Sequence, residues 1–176
     1  MVCGLVLFGQ GLWIHAKAYA AQILLERAFT QSIASGDKVK PWSWADTWPV
    51  ARIEAPRLAA SAIALNGASG QALAFGPGHL QNTPKAGETG TAVYAAHRDT
   101  HFAFLKDVEK GDLIRITRDD GKIFTYRATQ MTVTRWDEAQ IDIHASGSNL
   151  VLATCYPFDA VTQGPLRYLV YAELVE

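Results

Sequence analysis

Cysteine is scarce in this chain of 176 residues, with Cys3 and Cys155 as its only two. Cys3 lies in an apolar N-terminal run and Cys155 ends a strand-like segment before a loop, which argues against a bridge between them. No Cys-x-x-Cys or His-Glu-x-x-His pattern occurs, so the helical spacing of His97 and His101 points to no metal site. No carboxylate cluster has calcium-loop spacing. No metal and no cofactor are therefore expected. The 16 basic and 17 acidic residues nearly cancel, without a run of like charge, and nucleic acid is not an expected partner. Gly76-Pro-Gly78 lacks the lysine and hydroxyl positions of a phosphate loop. Internal repeats and low-complexity tracts are also missing.

The first 14 residues, Met1 to Ile14, carry no charge. As a helix they would cover about 21 Å, short of a bilayer. No basic residue precedes the run, which therefore lacks the first part of a cleavable signal peptide. It reads as the end of an uncleaved membrane anchor whose native chain begins further upstream, or as a short apolar helix against the domain. Ile14, Ala18, Ala21, Leu25 and Ala28 then mark one face of a helix running to about Ala34, with Ser35-Gly36 as its stop. Residues 1–35 are read as a membrane-proximal helix. Residues 36–48 form a linker with Trp42, Trp44 and Trp48, rings suited to a headgroup boundary or to packing on the domain.

From Pro49 the helical period gives way to short branched and aromatic runs between glycine, proline and asparagine clusters. Strands are expected at 50–54, 61–65, 92–96, 112–117, 122–134, 149–154 and 167–174. Seven strands in residues 49–176 predict a mainly β fold, a closed or nearly closed barrel of seven to eight strands. Asp119-Asp120-Gly121 predicts a hairpin between the fourth and fifth. The glycine-rich segment 66–91 is expected to wrap the barrel, and 101–107 to form one helical turn with Phe102 and Leu105 inward. His79 and His144 are expected at the surface.

Three chemically matched side chains stand at predicted strand ends: His97 after Ala96, Cys155 after Thr154, and Arg167 twelve residues beyond the cysteine. A nucleophile, a proton donor and a cation for a developing oxyanion are what acyl transfer needs. Spacing alone equally allows a buried thiol, a surface histidine and an ion-paired arginine. A histidine–cysteine pair of ordinary acidities holds only a small thiolate–imidazolium fraction at neutral pH.

Leu150-Val-Leu-Ala-Thr-Cys155 resembles the sortase strand ending in the catalytic cysteine, Ala95-Ala-His-Arg98 resembles the sortase Gly-His-Arg stretch, and Pro165-Leu-Arg-Tyr-Leu-Val170 resembles the strand opened by the catalytic arginine. Phe75 to Gly90 is similar to the segment preceding the histidine, and Lys110-Gly-Asp112 to the entry of the next strand. The likeness covers about Pro49 to Glu176, and its pattern is closest to proteobacterial sortases. It implies a sortase-like barrel and a cysteine transpeptidase. Cys155 would attack the threonine carbonyl of an LPxT-like sorting signal, His97 would protonate the leaving amine, and Arg167 would bind the oxyanion. The implied partners are a secreted protein with a C-terminal sorting signal and an amine acceptor on the cell envelope. The implied location is the inner membrane, with the domain facing the periplasm. Ala96 stands where many sortases have glycine, and Ala153 replaces the commoner threonine. Together with Thr154, Tyr156, Pro157 and Phe158 they are the candidate substrate contacts. Thr154 could instead satisfy the strand, and the rings after Cys155 could only brace the loop. A cysteine peptidase of the same fold and a non-catalytic periplasmic peptide-binding barrel are the alternatives.

Overall fold

The computed structural model describes residues 2–175, with side chains described for residues 18–175. The expectations for Met1, Cys3 and the side chains of the apolar run lie outside those residues.

Helix α1 covers Val2–Ser35 and ends where Gly36 turns to φ +75°, its N–H donating to the Ser32 carbonyl at 2.9 Å. Among its described side chains the buried face is Ala21, Leu25, Ala28, Phe29 and Ser32. Ala18, expected on that face, is exposed. Among the described side chains the helix meets the barrel from Ala21 onward. Leu25 and Phe29 pack against Ile63, Leu65 and Ala72, each fully buried side chain contributing about 1.5–3 kcal/mol. Glu26 pairs with Arg52, and the Gln22 amide donates to the Phe75 carbonyl at 2.8 Å. No helix among the described residues is long and apolar enough to cross a membrane. In the following segment Trp48 packs against the barrel core and Trp42 lies edge-on to Phe75 at 5.0 Å, whereas Trp44 is 80% exposed.

Eight strands close a barrel: β1 Pro49–Ala55, β2 Ala60–Asn66, β3 Gly78–His79, β4 Gly90–Ala95, β5 Leu113–Arg118, β6 Ile123–Arg135, β7 Ser148–Cys155 and β8 Leu166–Leu174. Their order around the barrel is β1-β2-β3-β4-β7-β8-β6-β5. All seven expected strands are present, within a few residues at their ends. The hairpin forms as expected, with Arg118 N–H bonded to the Lys122 carbonyl and Gly121 N–H to that of Arg118. Ile114, Ile116, Tyr126, Ala128, Leu150, Leu152 and Val170 fill the interior, and Phe102 and Leu105 seal it fully buried.

The segment expected only to wrap the barrel supplies two further elements. Ser69 caps a short helix, α2 (Gly70–Phe75), its Oγ accepting from the Ala72 amide at 3.2 Å. The two-residue β3 then runs parallel to β2 and antiparallel to β4, closing the barrel between them. Two residues are too few for an alternating pattern, so this strand leaves no signature in the sequence.

His79, expected at the surface, is buried on β3. Its Nε2 lies 2.9 Å from the Pro84 carbonyl and its ring tilts on Tyr94 at 5.0 Å. Burial lowers its pKa, the nearby Lys85 ammonium adding to the effect. An imidazole with a lowered native pKa takes up its proton first in the unfolded chain, so its contribution is complete above about pH 6.5 and is lost as the pH falls below that value. Thermal melts between neutral and mildly acidic pH should therefore fall more steeply for the wild type than for His79→Gln. Parallel curves would refute this.

Candidate active site

Three neighbouring strands carry the expected trio to one rim. β4 and β7 run parallel with Ala95 opposite Ala153, and the Ala96 amide continues the ladder to the Ala153 carbonyl at 3.1 Å. His97 and Cys155 each follow that pair by two residues. β7 and β8 run antiparallel, and there Cys155 is the direct partner of Arg167. The cysteine thus stands between the histidine and the arginine.

Alternation decides which way they face. Ala92, Tyr94 and Ala96 on β4 and beyond it, Leu150 and Leu152 on β7, and Val170 and Ala172 on β8 belong to the interior. Val93, Val151 and Leu169 form a separate cluster on the outer face, with Ala153 and Tyr171 against it. Successive strand residues point to opposite faces, so residues 97, 155 and 167 share the outer face. His97 is exposed, and Cys155 and Arg167 are half-buried.

Two cavities meet at these side chains. One, of about 310 Å³, is apolar and is lined by Leu80, Val93, Ala153 and Leu169 and by Trp136 and Ile141 from the β6–β7 connection. The other, of about 570 Å³, is more polar and lies between Leu73 and Ala74 of α2, residues 97–100, and the β7–β8 loop. His97, Cys155, Arg167 and Leu73 line both. Together they make a groove crossing the trio. Phe102 N–H bonds to the His97 carbonyl at 3.1 Å, fixing the turn after the histidine. Arg167 donates through Nη1 to the carbonyls of Gly164 at 2.9 Å and Leu166 at 2.8 Å. Nearby His101 has its pKa lowered by burial and then by His97.

The other expected contacts divide. Ala153 lines the apolar cavity, as does Ala96 with little exposure. Thr154 reaches the same lining but is 2% exposed, and its hydroxyl donates to the Ala96 carbonyl at 2.7 Å. That bond ties β7 to the turn carrying His97. Thr154→Val should cost about 1–3 kcal/mol by leaving the buried carbonyl unpaired, measured as a lower denaturant midpoint at unchanged slope. Tyr156, Pro157 and Phe158 line neither cavity. Tyr156 stacks on Tyr168 at 6.2 Å, and Phe158 lies edge-on to the same ring at 5.2 Å, so the two rings brace the loop. Leu73, Trp136 and Ile141 were not legible as groove residues, because they sit in connections brought to the rim only by barrel closure. Ser69, a good cap before an apolar run, was the available signal for α2.

The Sortase domain family model matches residues 53–175. The chain belongs to the sortase family. Sortase D of Bacillus subtilis is 32% identical to it over 124 residues, covering 70% of this chain and 62% of that protein. The match thus spans less than two thirds of the relative's length. A sortase D5 transpeptidase of Clostridium perfringens superposes with a TM-score of 0.71 at 20% identity, covering 90% of this chain and 99% of that one, which is a likeness of fold. A mutant of sortase E from Streptomyces avermitilis gives 0.61 at 29% identity, covering 73% and 88%. The eight-stranded closed barrel with its N-terminal helix is thus a sortase fold, and the trio lies within the matched region.

Proposed function

We propose that this sortase is a cysteine transpeptidase acting on an LPxT-like sorting signal, with Cys155 as nucleophile, His97 as acid and base, and Arg167 as oxyanion partner. The register that sets Cys155 between His97 and Arg167 on one outer face, where two cavities meet, carries the reading. The Cys155 thiolate attacks the threonine carbonyl carbon, and Arg167 hydrogen-bonds the oxygen as it gains charge. The carbon–nitrogen bond breaks, the amine leaves with a proton from His97, and a thioester remains. An acceptor amine, deprotonated by His97, then attacks the thioester and releases the thiolate. The apolar cavity suits the leucine and proline of the signal, and the polar one the acceptor.

In this reading the substrate is a secreted protein with a C-terminal signal and the acceptor is an envelope amine. Residues 1–35 hold the enzyme at the membrane, residues 36–48 link them to the domain 49–176, and that domain faces the periplasm as in proteobacterial sortases. Intact-mass measurement with an LPxT-like peptide library and added amines tests the reading. The expected result is an acyl adduct on Cys155 and a product that needs the amine. Product formed equally without amine would make the protein a hydrolase of the same fold. Peptide binding without any adduct, equal in Cys155→Ala, would make it a binding barrel.

A further inference from the structure

Arg98, beside the histidine, takes no part in the reaction described above, yet it is a buried cation at 9% exposure in the wall of the polar cavity. It makes no ion pair among the described residues, and its Nη1 finds no partner there. Its Nη2 donates instead to two carbonyls, those of Ala160 and, at 2.8 Å, Thr162. Both belong to the loop 156–165 that joins Cys155 to the strand of Arg167. Arg167 holds the next alternate carbonyls, Gly164 and Leu166. Two guanidinium groups thus grip the loop at residues 160, 162 and 164, and Arg167 also holds the first residue of β8 at 166. Between the first two carbonyls Val161 is fully exposed, so the loop has no packing of its own at that point.

We propose that Arg98 is a positioning residue that pins the β7–β8 loop at the wall of the polar cavity and thereby sets where Arg167 presents its guanidinium. The inference rests on the function proposed above. Charge-assisted bonds from one buried guanidinium nitrogen to two carbonyls hold the loop in a way that a neutral amide does not reproduce and a lysine ammonium reproduces only in part. If the pin is lost, the Gly164 carbonyl that holds Arg167 moves with the loop, while that of Leu166 stays in the ladder, where it accepts from the Tyr156 N–H at 3.0 Å. The oxyanion partner is then displaced while the nucleophile, fixed on β7, stays in place. Misplacement of this kind lowers the rate of bond making more than the binding of peptide.

The test uses the full chain as wild type, Arg98→Gln and Arg98→Lys. It combines single-turnover acylation of Cys155 by an LPxT-like peptide with hydrogen exchange read peptide by peptide. Expected for Arg98→Gln is a saturating acylation rate lower by about 10- to 100-fold, with half-saturation shifted far less. Faster exchange should be confined to residues 156–165, and Arg98→Lys should recover part of the rate. Acylation equal to wild type overturns the proposal. Faster exchange throughout β4, β7 and β8 also overturns it, in favour of a general structural role. If Arg98→Gln does not fold, Arg98→Lys carries the same comparison with a smaller loss. If the wild type forms no adduct, the functional reading fails, and exchange alone decides whether Arg98 holds the loop.

Discussion

Cys155→Ala should abolish the acyl adduct and lower peptide turnover by on the order of 10⁴- to 10⁶-fold, the usual consequence of deleting a covalent nucleophile. The substitution removes one half-buried sulfur at a strand end and no core packing, so the melting temperature should change little. His97→Ala should cost about 10²- to 10⁴-fold and Arg167→Ala about 10²- to 10³-fold. The three losses should not add, because each residue acts on the same bond-making step. Turnover of a fluorogenic LPxT-like peptide measures all of them. Activity in Cys155→Ala within tenfold of wild type would remove the covalent mechanism.

Gly90→Ala should be strongly destabilising for so small a change. Gly90 opens β4 at φ +112°, and its N–H bonds to the Gly147 carbonyl at 2.8 Å. A Cβ there would lie 2.4 Å from the Ile143 carbonyl oxygen and 2.7 Å from the Pro84 ring. Neither neighbour is the free end of a flexible side chain, so the strand itself must shift. Backbone strain and overpacking together cost roughly 2–5 kcal/mol, or on the order of 10 °C in melting temperature for a chain of this size. Because β4 leads directly to His97, activity should fall well below the melting point. Gly36→Ala is the control. Its φ is also positive, but a Cβ there meets nothing within 4 Å, so only a modest strain cost remains. Equal melting shifts in the two variants would show that the close approach at Gly90 is relieved without cost.

Local patterns carried much of the architecture. Alternation and turn residues located seven of the eight strands, Asp119-Asp120-Gly121 set the hairpin, and Gly36 stopped the helix, because each of these depends on residues close along the chain. The three reactive residue types at strand ends were also legible, and their motifs pointed to the family. Tertiary structure decided what depends on distant segments meeting. It placed β4 beside β7, parallel and in register from Gly90–Ser148 to Ala95–Ala153. It closed the barrel with the two residues of β3, buried His79 there, and left Ala18 of α1 exposed. It withdrew Tyr156 and Phe158 into a brace and brought Leu73 and Ile141 to the groove instead. The sequence by itself determined which chemistry the chain holds and on which strand ends. Only the closed barrel, through long-range register and the alternation of strand faces, put His97, Cys155 and Arg167 on one side of one rim.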